Sequence, residues 1–389
     1  MRRKIYYLTR SFAPYQKGGG PLMRKAAVEY LRQKGWDVTV VMPEYERSEM
    51  SVTDELIKIP FTRNRRLAIL LEMVGFYEDY LDRWVEDSFA YLVDKIERED
   101  ILFTTSGGEL GTVKLGSLLK KERGCKFVVN FRDPIDYTEV NGLKINDRFH
   151  VSREKAERKY IENADLIVTS SNAFEKHLAQ KYPHLASRIV TNYFGYTRRI
   201  DLGNDLYRDT DEKLRVAYVG NMESAQKPEL LLEIYRHAKR KTDIELFFIG
   251  DTSDYAPLQN IDLPNVHMLR YMPHEALLTM MLEKIDVGFV SLASPYYGVC
   301  FPSKIYEYLN LGLPVLGALP EGDAKTLINE RGYGFAYRYD EIEKLAQALD
   351  RLTDKALYRQ IRQRVLRERE MWSMEVKIEA LDKLLREIG

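Results

Sequence analysis

Lys304 and Glu307 stand three residues apart in the stretch "FPSKIYEYLNLGLPVLGA", at the start of a short apolar segment that closes at Gly312 and Pro314. With Ser303 as N-cap, the residues from Lys304 to Glu307 make the first helical turn. Glu307 comes one residue too late for a capping box, whose acidic position is held by Tyr306. A first-turn acid suits the helix dipole, by about 0.3–1 kcal/mol, whereas a lysine there opposes it. An anion bound at the helix start removes the conflict. A phosphate group meets Lys304 and free N–H groups together, and Glu307 accepts hydrogen bonds from a sugar diol.

Four other stretches place reactive or permissive residues after apolar runs. "PYQKGGGP" puts Gly18, Gly19 and Gly20 before a helical segment, which suits close approach of an anion or simply a flexible turn. It is neither G-x-G-x-x-G nor a P-loop. "VVNFRDP" ends a buried run in Arg132 and Asp133. That carboxylate is suited to accept a proton or orient a hydroxyl, or else to cap a helix or pair with Arg132. "YVGNMESAQKPELL" carries Gly220, Asn221 and Lys227, and "FFIGD" carries Gly250. Two glycines at consecutive strand ends say more than one, because any tight turn uses a glycine.

The elements that position these residues repeat a strand–helix scheme. "KIYYLT", a glycine loop, "PLMRKAAVEYLRQKG" and "WDVTVVMP" read as a βαβ unit with Pro21 at the first helical position and Gly35 at the helix end. Apolar runs at 101–106, 125–131, 164–171 and 187–194 continue it, and the scheme restarts at 214–221, 244–251, 265–272, 286–293 and 313–319 after the polar stretch 196–213. Continuous β-branched runs alternating with helices predict α/β architecture with parallel sheets covered on both faces. The expected domains are 1–197 and 198–373, both Rossmann-like. Only helical periodicity follows Asp340.

The set of motifs resembles GT-B fold glycosyltransferases, closest to the GT4-like group 1 family. It runs from "FAPYQKGGGPLMRKAAVEYLRQKGWDVTVV" through "NFRDP", "ADLIVTSSNAFEKHL", "YVGN", "FFIGD" and "NVHMLRYMPHEAL" to "PSKIYEYLNLGLPVLG", covering nearly the whole chain in the family's order. The resemblance implies two Rossmann-like domains facing an interdomain cleft, an acceptor domain first and a donor domain second, with helix 374–389 crossing back to the first. It implies transfer of a sugar from a nucleotide-sugar donor to a glycan or lipid-linked acceptor in polysaccharide or glycoconjugate biosynthesis, with retention expected. Gly18, Gly19 and Gly20 are then expected near donor diphosphate and acceptor, and Gly220, Asn221 and Lys227 by the phosphates. Gly250, Tyr271 and Met272 surround the base, Phe301 and Ser303 complete the donor site, and Glu307 holds the ribose hydroxyls. Lys304 neutralises the leaving diphosphate and Asp133 orients the acceptor, with Arg132 beside it. No metal or other cofactor is expected.

The chain departs from the family in three places. The position eight before Glu307, often a second glutamate, is Val299; no arginine precedes Lys227 in "GNMESAQK"; and Asp133 stands where many members place a histidine.

Composition bounds the rest. The chain has 389 residues, 45% hydrophobic and 30% charged, with 59 basic and 59 acidic side chains, so bulk charge asks for no nucleic acid. Two cysteines, no recognisable leader and no apolar run near the roughly 20 residues of a spanning helix lead to a cytoplasmic expectation. Arg63, Arg65 and Arg66 precede "LAILLEMVGF", the pattern of an interfacial helix on the inner face of the cell membrane, or of a core helix with a solvated edge. The lone D-x-D, Asp209 to Asp211, sits in a charged linker and reads as solvated charge. A same-fold sugar-nucleotide epimerase and a catalytically idle nucleotide-sugar binder remain as alternatives.

Overall fold

Runs such as "VTVVM", "FVVNF" and "VGFVS" carry β-branched and aromatic residues without polar alternation, and each forms a strand buried on both faces. The computed structural model describes residues 3–47, 49–61, 64–135, 139–140, 143–144, 147–202, 213–251 and 255–388. It divides into two units, Met1–Tyr193 with Met374–Gly389, and Phe194–Ser373.

The first unit runs β1 (Lys4–Leu8), α1 (Gly19–Gln33), β2 (Asp37–Glu44), β3 (Ser51–Val52), β4 (Leu56–Pro60), α2 (Arg65–Met73), α3 (Asp82–Leu92), β5 (Ile101–Gly107), α4 (Gly111–Arg123), β6 (Lys126–Asp133), the short strands β7 (Glu139–Val140) and β8 (Leu143–Lys144), α5 (Asp147–Ile161), β9 (Leu166–Thr169), α6 (Asn172–Lys181) and β10 (Ile189–Thr191). Its sheet has the order β10-β9-β6-β5-β1-β2-β4-β3, parallel except for the edge strand β3, while β7 and β8 pair with each other. Chain direction across the sheet reverses between β1 and β5. Ligands bind outside the carboxyl ends of strands at such a switch point.

The second unit runs β11 (Leu214–Val219), α7 (Leu230–His237), β12 (Ile244–Ile249), β13 (Val266–Leu269), α8 (His274–Lys284), β14 (Val287–Ser291), α9 (Ser303–Asn310), β15 (Val315–Ala318), α10 (Asp323–Glu330), β16 (Gly334–Tyr337), α11 (Ile342–Leu352) and α12 (Lys355–Glu368). Its six strands are parallel in the order β13-β12-β11-β14-β15-β16, with the reversal between β11 and β14. The last helix, α13 (Met374–Glu387), lies with the first unit. Trp36 Nε1 donates to Asp382 Oδ1 at 2.7 Å, and Asn192 Nδ2 donates to Lys377 O at 3.2 Å.

Several details differ from the sequence expectation. The second unit begins at Phe194 rather than Arg198 because the connector is bound to it. Tyr196 N–H donates to Trp372 O at 3.0 Å, and Asn310 Nδ2 donates to Arg198 O at 2.8 Å. Helix α1 starts at Gly19, two residues before Pro21, because the first N–H groups of a helix lack intrahelical partners and proline is tolerated among them. Helix α9 starts at Ser303 with Pro302 as N-cap and no side-chain cap, so Ser303 is a helical residue rather than the cap. β3, β4 and β16 were not expected. They are short, and β3 and β16 lie at sheet edges.

Packing beneath α9 fixes its place. Gly288 on β14 lies under the ring of Tyr308, where an added Cβ would come within 2.3 Å of ring atoms, and Tyr308 Oη donates to Phe289 O at 2.9 Å. Both residues are deep in the core, so the contact cannot open without a cavity. Gly288→Ala is expected to cost about 1–3 kcal/mol by overpacking, read as a lower denaturation midpoint for the second unit.

Candidate active site

In the second unit, loops after β11 and β14 meet at the switch point. Lys304, in the first turn of α9, directs Nζ toward Tyr218 Oη at 2.8 Å and Gln226 Oε1 at 2.6 Å, and lies 4.0 Å from the centroid of the Tyr218 ring. Tyr218 Oη is also 2.6 Å from the Asn221 carbonyl, and Ser291 Oγ donates to the Gln226 carbonyl. Among the described residues no carboxylate is within ion-pair distance of Lys304. Burial lowers its ammonium to about 7, with Glu223 a weaker opposing influence. The amine is thus held among neutral partners.

Gly220 is required for this approach. Its φ is 115°, and an added Cβ would lie 2.9 Å from Lys304 Cε. Gly250, at the end of the neighbouring strand, would place a Cβ 2.2 Å from Gly220 O. Both glycines therefore serve close packing of the strand-end loops.

One turn further along α9, Glu307 Oε1 lies 3.6 Å from His274 Nε2 at the start of α8, while Glu307 Oε2 is buried without a hydrogen-bond partner. A buried unpartnered carboxylate oxygen costs about 1–3 kcal/mol or more. The Glu307 carboxylate beside it raises His274 above its ordinary value, against the effect of burial.

The other expected donor residues are distributed unevenly. Lys227 is exposed in the left-handed region at φ 45°, before Pro228. Asn221 is exposed and donates to Glu223 Oε1 at 3.1 Å. Tyr271 is 62% exposed, and Met272 is half-buried. Phe301 does not present its ring to a ligand: it is 8% exposed and stacks on Tyr306 and Trp372 at centroid distances of 5.0 and 6.3 Å.

In the first unit, Gly18, Gly19 and Gly20 lead from the β1 loop into α1, and Gly18 has φ 110° with no side-chain cap at the helix start. Arg132 Nη1 donates to Gly20 O at 3.4 Å. Asp133, half-buried at the end of β6, makes no side-chain hydrogen bond or ion pair to a described residue, and its Oδ2 lies 3.6 Å from the point a Gly107 Cβ would occupy. Beside it Arg10 Nε pairs with Glu109 Oε2 at 3.1 Å, the atom that also accepts from Gly107 N at 2.9 Å.

Arg63 and the Asp209 to Asp211 triplet lie outside the described residues. Arg65 and Arg66 begin α2, and Arg66 is exposed. Sequence reasoning missed Tyr218, Gln226 and His274. Tyr218 stands two residues before Gly220 and Gln226 immediately before Lys227, both of which the sequence singles out; His274 carried no signal beyond its place in "MPHEAL".

Two parallel-sheet α/β units, each with its loops gathered at a switch point, define the GT-B class of glycosyltransferase folds. Within it, residues 213–355, which contain both Lys304 and Glu307, match the family model Glycosyl transferases group 1. The putative teichuronic acid biosynthesis glycosyltransferase TuaH of Bacillus subtilis (strain 168) is 26% identical over 179 residues, which span 42% of this chain and 43% of that relative. HepE from Anabaena, solved with UDP-glucose, is 13% identical with a TM-score of 0.68 and 99% of each chain covered. An α,α-trehalose 6-phosphate synthase from Burkholderia multivorans is 11% identical with a TM-score of 0.69, over 100% of this chain and 97% of that one.

The raised value of His274 fixes the sign of a pH effect. Its contribution is fully present below the unfolded value of about 6.5 and is lost as pH rises through the higher folded value. Wild type is expected to exceed His274→Gln in stability by about 0.5–1 kcal/mol near pH 5.5. The difference should close by pH 8.5 in denaturant unfolding.

Proposed function

We propose that the protein is a nucleotide-sugar-dependent glycosyltransferase that moves a sugar to a glycan or lipid-linked acceptor with retention of anomeric configuration, without a metal. The observation that carries this reading is the pair on α9: a desolvated amine with only neutral partners, and one turn away a carboxylate oxygen with none. A diphosphate supplies the counter-charge the first lacks, and a ribose diol the donors the second lacks.

Lys304 acts on charge that develops on the leaving diphosphate. It sits at a helix start, where free N–H groups add to the same field, and it needs no reorganisation when the glycosidic bond breaks. The electron pair of that bond leaves with the diphosphate, and the acceptor oxygen bonds to the anomeric carbon on the face just vacated. The acceptor's proton passes to the departing phosphate oxygen. Asp133 orients the acceptor hydroxyl. Support for retention comes from a structure of trehalose-6-phosphate synthase, 13% identical, that concerns glycosyltransfer with retention. UDP-sugars are the first donors to test, since HepE was solved with UDP-glucose. The products belong to polysaccharide or glycoconjugate biosynthesis.

Contact with a membrane is part of the proposal. Leu67, Ile69, Leu70, Met73, Val74 and Phe76 are exposed along α2 and the turn after it, with Phe76 76% exposed, while Ala68 and Glu72 face inward. The apolar side thus points outward, the reverse of a core helix, and Arg66 stands at its start. This combination fits the surface of an anionic bilayer on the cytoplasmic side. Among the described residues no helix is long and apolar enough to cross one.

Incubation with a panel of UDP-, GDP- and ADP-sugars plus acceptor is expected to release free nucleotide. A changed sugar without release indicates an epimerase, and absence of any binding refutes the reading. Lys304→Ala is expected to lower kcat by roughly 10²–10³-fold, and Glu307→Ala to weaken donor binding about 10–100-fold. Because the Lys304 amine stands at about 7 when the site is empty, nucleoside diphosphate affinity should fall as pH rises above that value in wild type but not in Lys304→Ala. NMR of the product's anomeric proton decides retention, and Asp133→Asn then costs less than inversion would demand.

Sedimentation with phosphatidylglycerol-containing vesicles is expected at low salt and lost near 0.5 M salt. Phe76→Ser with Leu70→Ser should remove it without changing donor binding.

A further inference from the structure

The switch point of the first unit holds a buried cation whose partners are all uncharged. Arg24, on α1, is 5% exposed; its Nε donates to Thr105 Oγ1 at 3.2 Å and its Nη1 to Ser11 Oγ at 2.7 Å, while its Nη2 donates to no described residue. Arg10 is matched by Glu109, yet no carboxylate of the described residues lies within ion-pair distance of Arg24. Burying a guanidinium without a counter-ion is costly, and a protein normally pairs it. Burial, followed by the repulsion of Arg132, lowers Arg24 to about 10. It remains charged at neutral pH.

The space in front of the guanidinium is kept open by two glycines. A Cβ on Gly20 would stand 3.3 Å from Arg24 Nη1, and one on Gly107 would stand 3.5 Å from Nη2. Asp133 Oδ2 and Glu109 Oε2 lie 3.6 and 3.7 Å from that same Gly107 position, Glu109 being paired with Arg10, and Arg132 Nη1 lies 3.6 Å from the Gly20 one. The helix that carries Arg24 starts at Gly19 without a side-chain cap, in the loop that follows β1. One free donor edge, an adjacent helix start and a carboxylate a few ångströms away describe a place for an anionic group next to a hydroxyl.

We propose that this switch point, where β1 and β5 are neighbours, binds an oxyanion carried by the acceptor, a phosphoryl or carboxylate group, in the fork of Arg24. This deepens the transferase reading and rests on it. Arg24 reads the anion, and Asp133 meets a hydroxyl of the same molecule within a few bonds of it. The acceptor is therefore a sugar phosphate, a sugar acid or a phosphorylated lipid head, rather than a neutral sugar. Arg24 is a specificity residue, since a neutral acceptor would leave its charge buried and unmatched.

The test uses the full chain and two minimal probes, inorganic phosphate and acetate, titrated at constant ionic strength against sodium chloride with thermal unfolding as readout. At least one probe is expected to give a saturable stabilisation that chloride does not, and the stronger one tells phosphoryl from carboxylate. Arg24→Gln is expected to weaken it at least tenfold and Arg24→Lys less, since the charge stays and the fork is lost. Lys304→Ala should remove only the share of the phosphate effect that the site proposed on α9 contributes, and leave the acetate titration within twofold. Stabilisation by neither probe overturns the proposal, as does an unchanged titration in both Arg24 variants or loss of the whole effect in Lys304→Ala. If Arg24→Gln does not fold, the wild-type and Arg24→Lys titrations decide. Nucleotide release is measured on the same preparation: release without an anion effect refutes this inference alone, and an anion effect without release removes the acceptor assignment.

Discussion

The second unit is organised around keeping one ammonium group dry. Lys304 is enclosed by the Tyr218 ring, the Tyr218 hydroxyl and the Gln226 amide, none of which cancels its charge. A carboxylate in their place would form a paired ion and raise the amine above its ordinary range; neutral acceptors leave it lowered to about 7. That choice constrains the surrounding backbone. Gly220 has to lack a side chain because Lys304 Cε passes where a Cβ would be, and Gly250 because Gly220 O occupies its side. Beneath, Gly288 admits the Tyr308 ring and thereby sets the height of α9 above the sheet.

The first unit solves a related problem with a hub. Arg153 Nη1 donates to Gly108 O at 3.0 Å and to Ile135 O at 2.9 Å, so it ties together the loops that follow β5 and β6. Its Nη2 meets Asp79 at 3.2 Å and Glu72 at 2.9 Å. Burial, with Asp79 next in effect, pushes Glu72 up while Arg153 pulls it down, and its Oε2 accepts from Tyr80 N at 3.1 Å. Glu72 belongs to α2, whose other face is the exposed apolar one. The helix that carries the surface patch is thus anchored to the backbone that carries Asp133. This is rigid positioning, and buried charge networks of this kind are sensitive to loss of any member.

How much of this was legible in the sequence depended on whether the reason was local. The strands were, because β-branched runs declare burial on both faces. Lys304 and Glu307 were, because a lysine at a helix start and an acid one place too late for a capping box are both local misfits. The start of α9 was misjudged by one residue: Ser303 has the side chain of a cap, but the chain enters the helix at Pro302 without using it. Phe301 was placed at the ligand for want of its partners, since only the fold brings Tyr306 and Trp372 onto its ring. Tyr218 and Gln226 were hidden for the same reason, as their role exists only through an amine 86 and 78 residues away. Arg24 looked like an ordinary basic residue on a helix face, and its burial against Thr105 and Ser11 is a tertiary fact.

The two unmatched cations differ in a way that suits different tasks. Lys304 has a compact ammonium that burial pushes down to about 7, so negative charge growing beside it favours the protonated form. Such a group favours a leaving diphosphate over the intact donor, which is the differential binding that accelerates a reaction. Arg24, at about 10, holds its charge throughout the neutral range, and its planar fork is fixed by two hydroxyls before any ligand arrives. A fixed charge with preset donors discriminates between ground-state molecules and contributes equally before and during reaction. In the proposed reaction, lysine at the breaking bond and arginine at the recognition point follow from what each step requires: response to changing charge in one place, and constancy in the other.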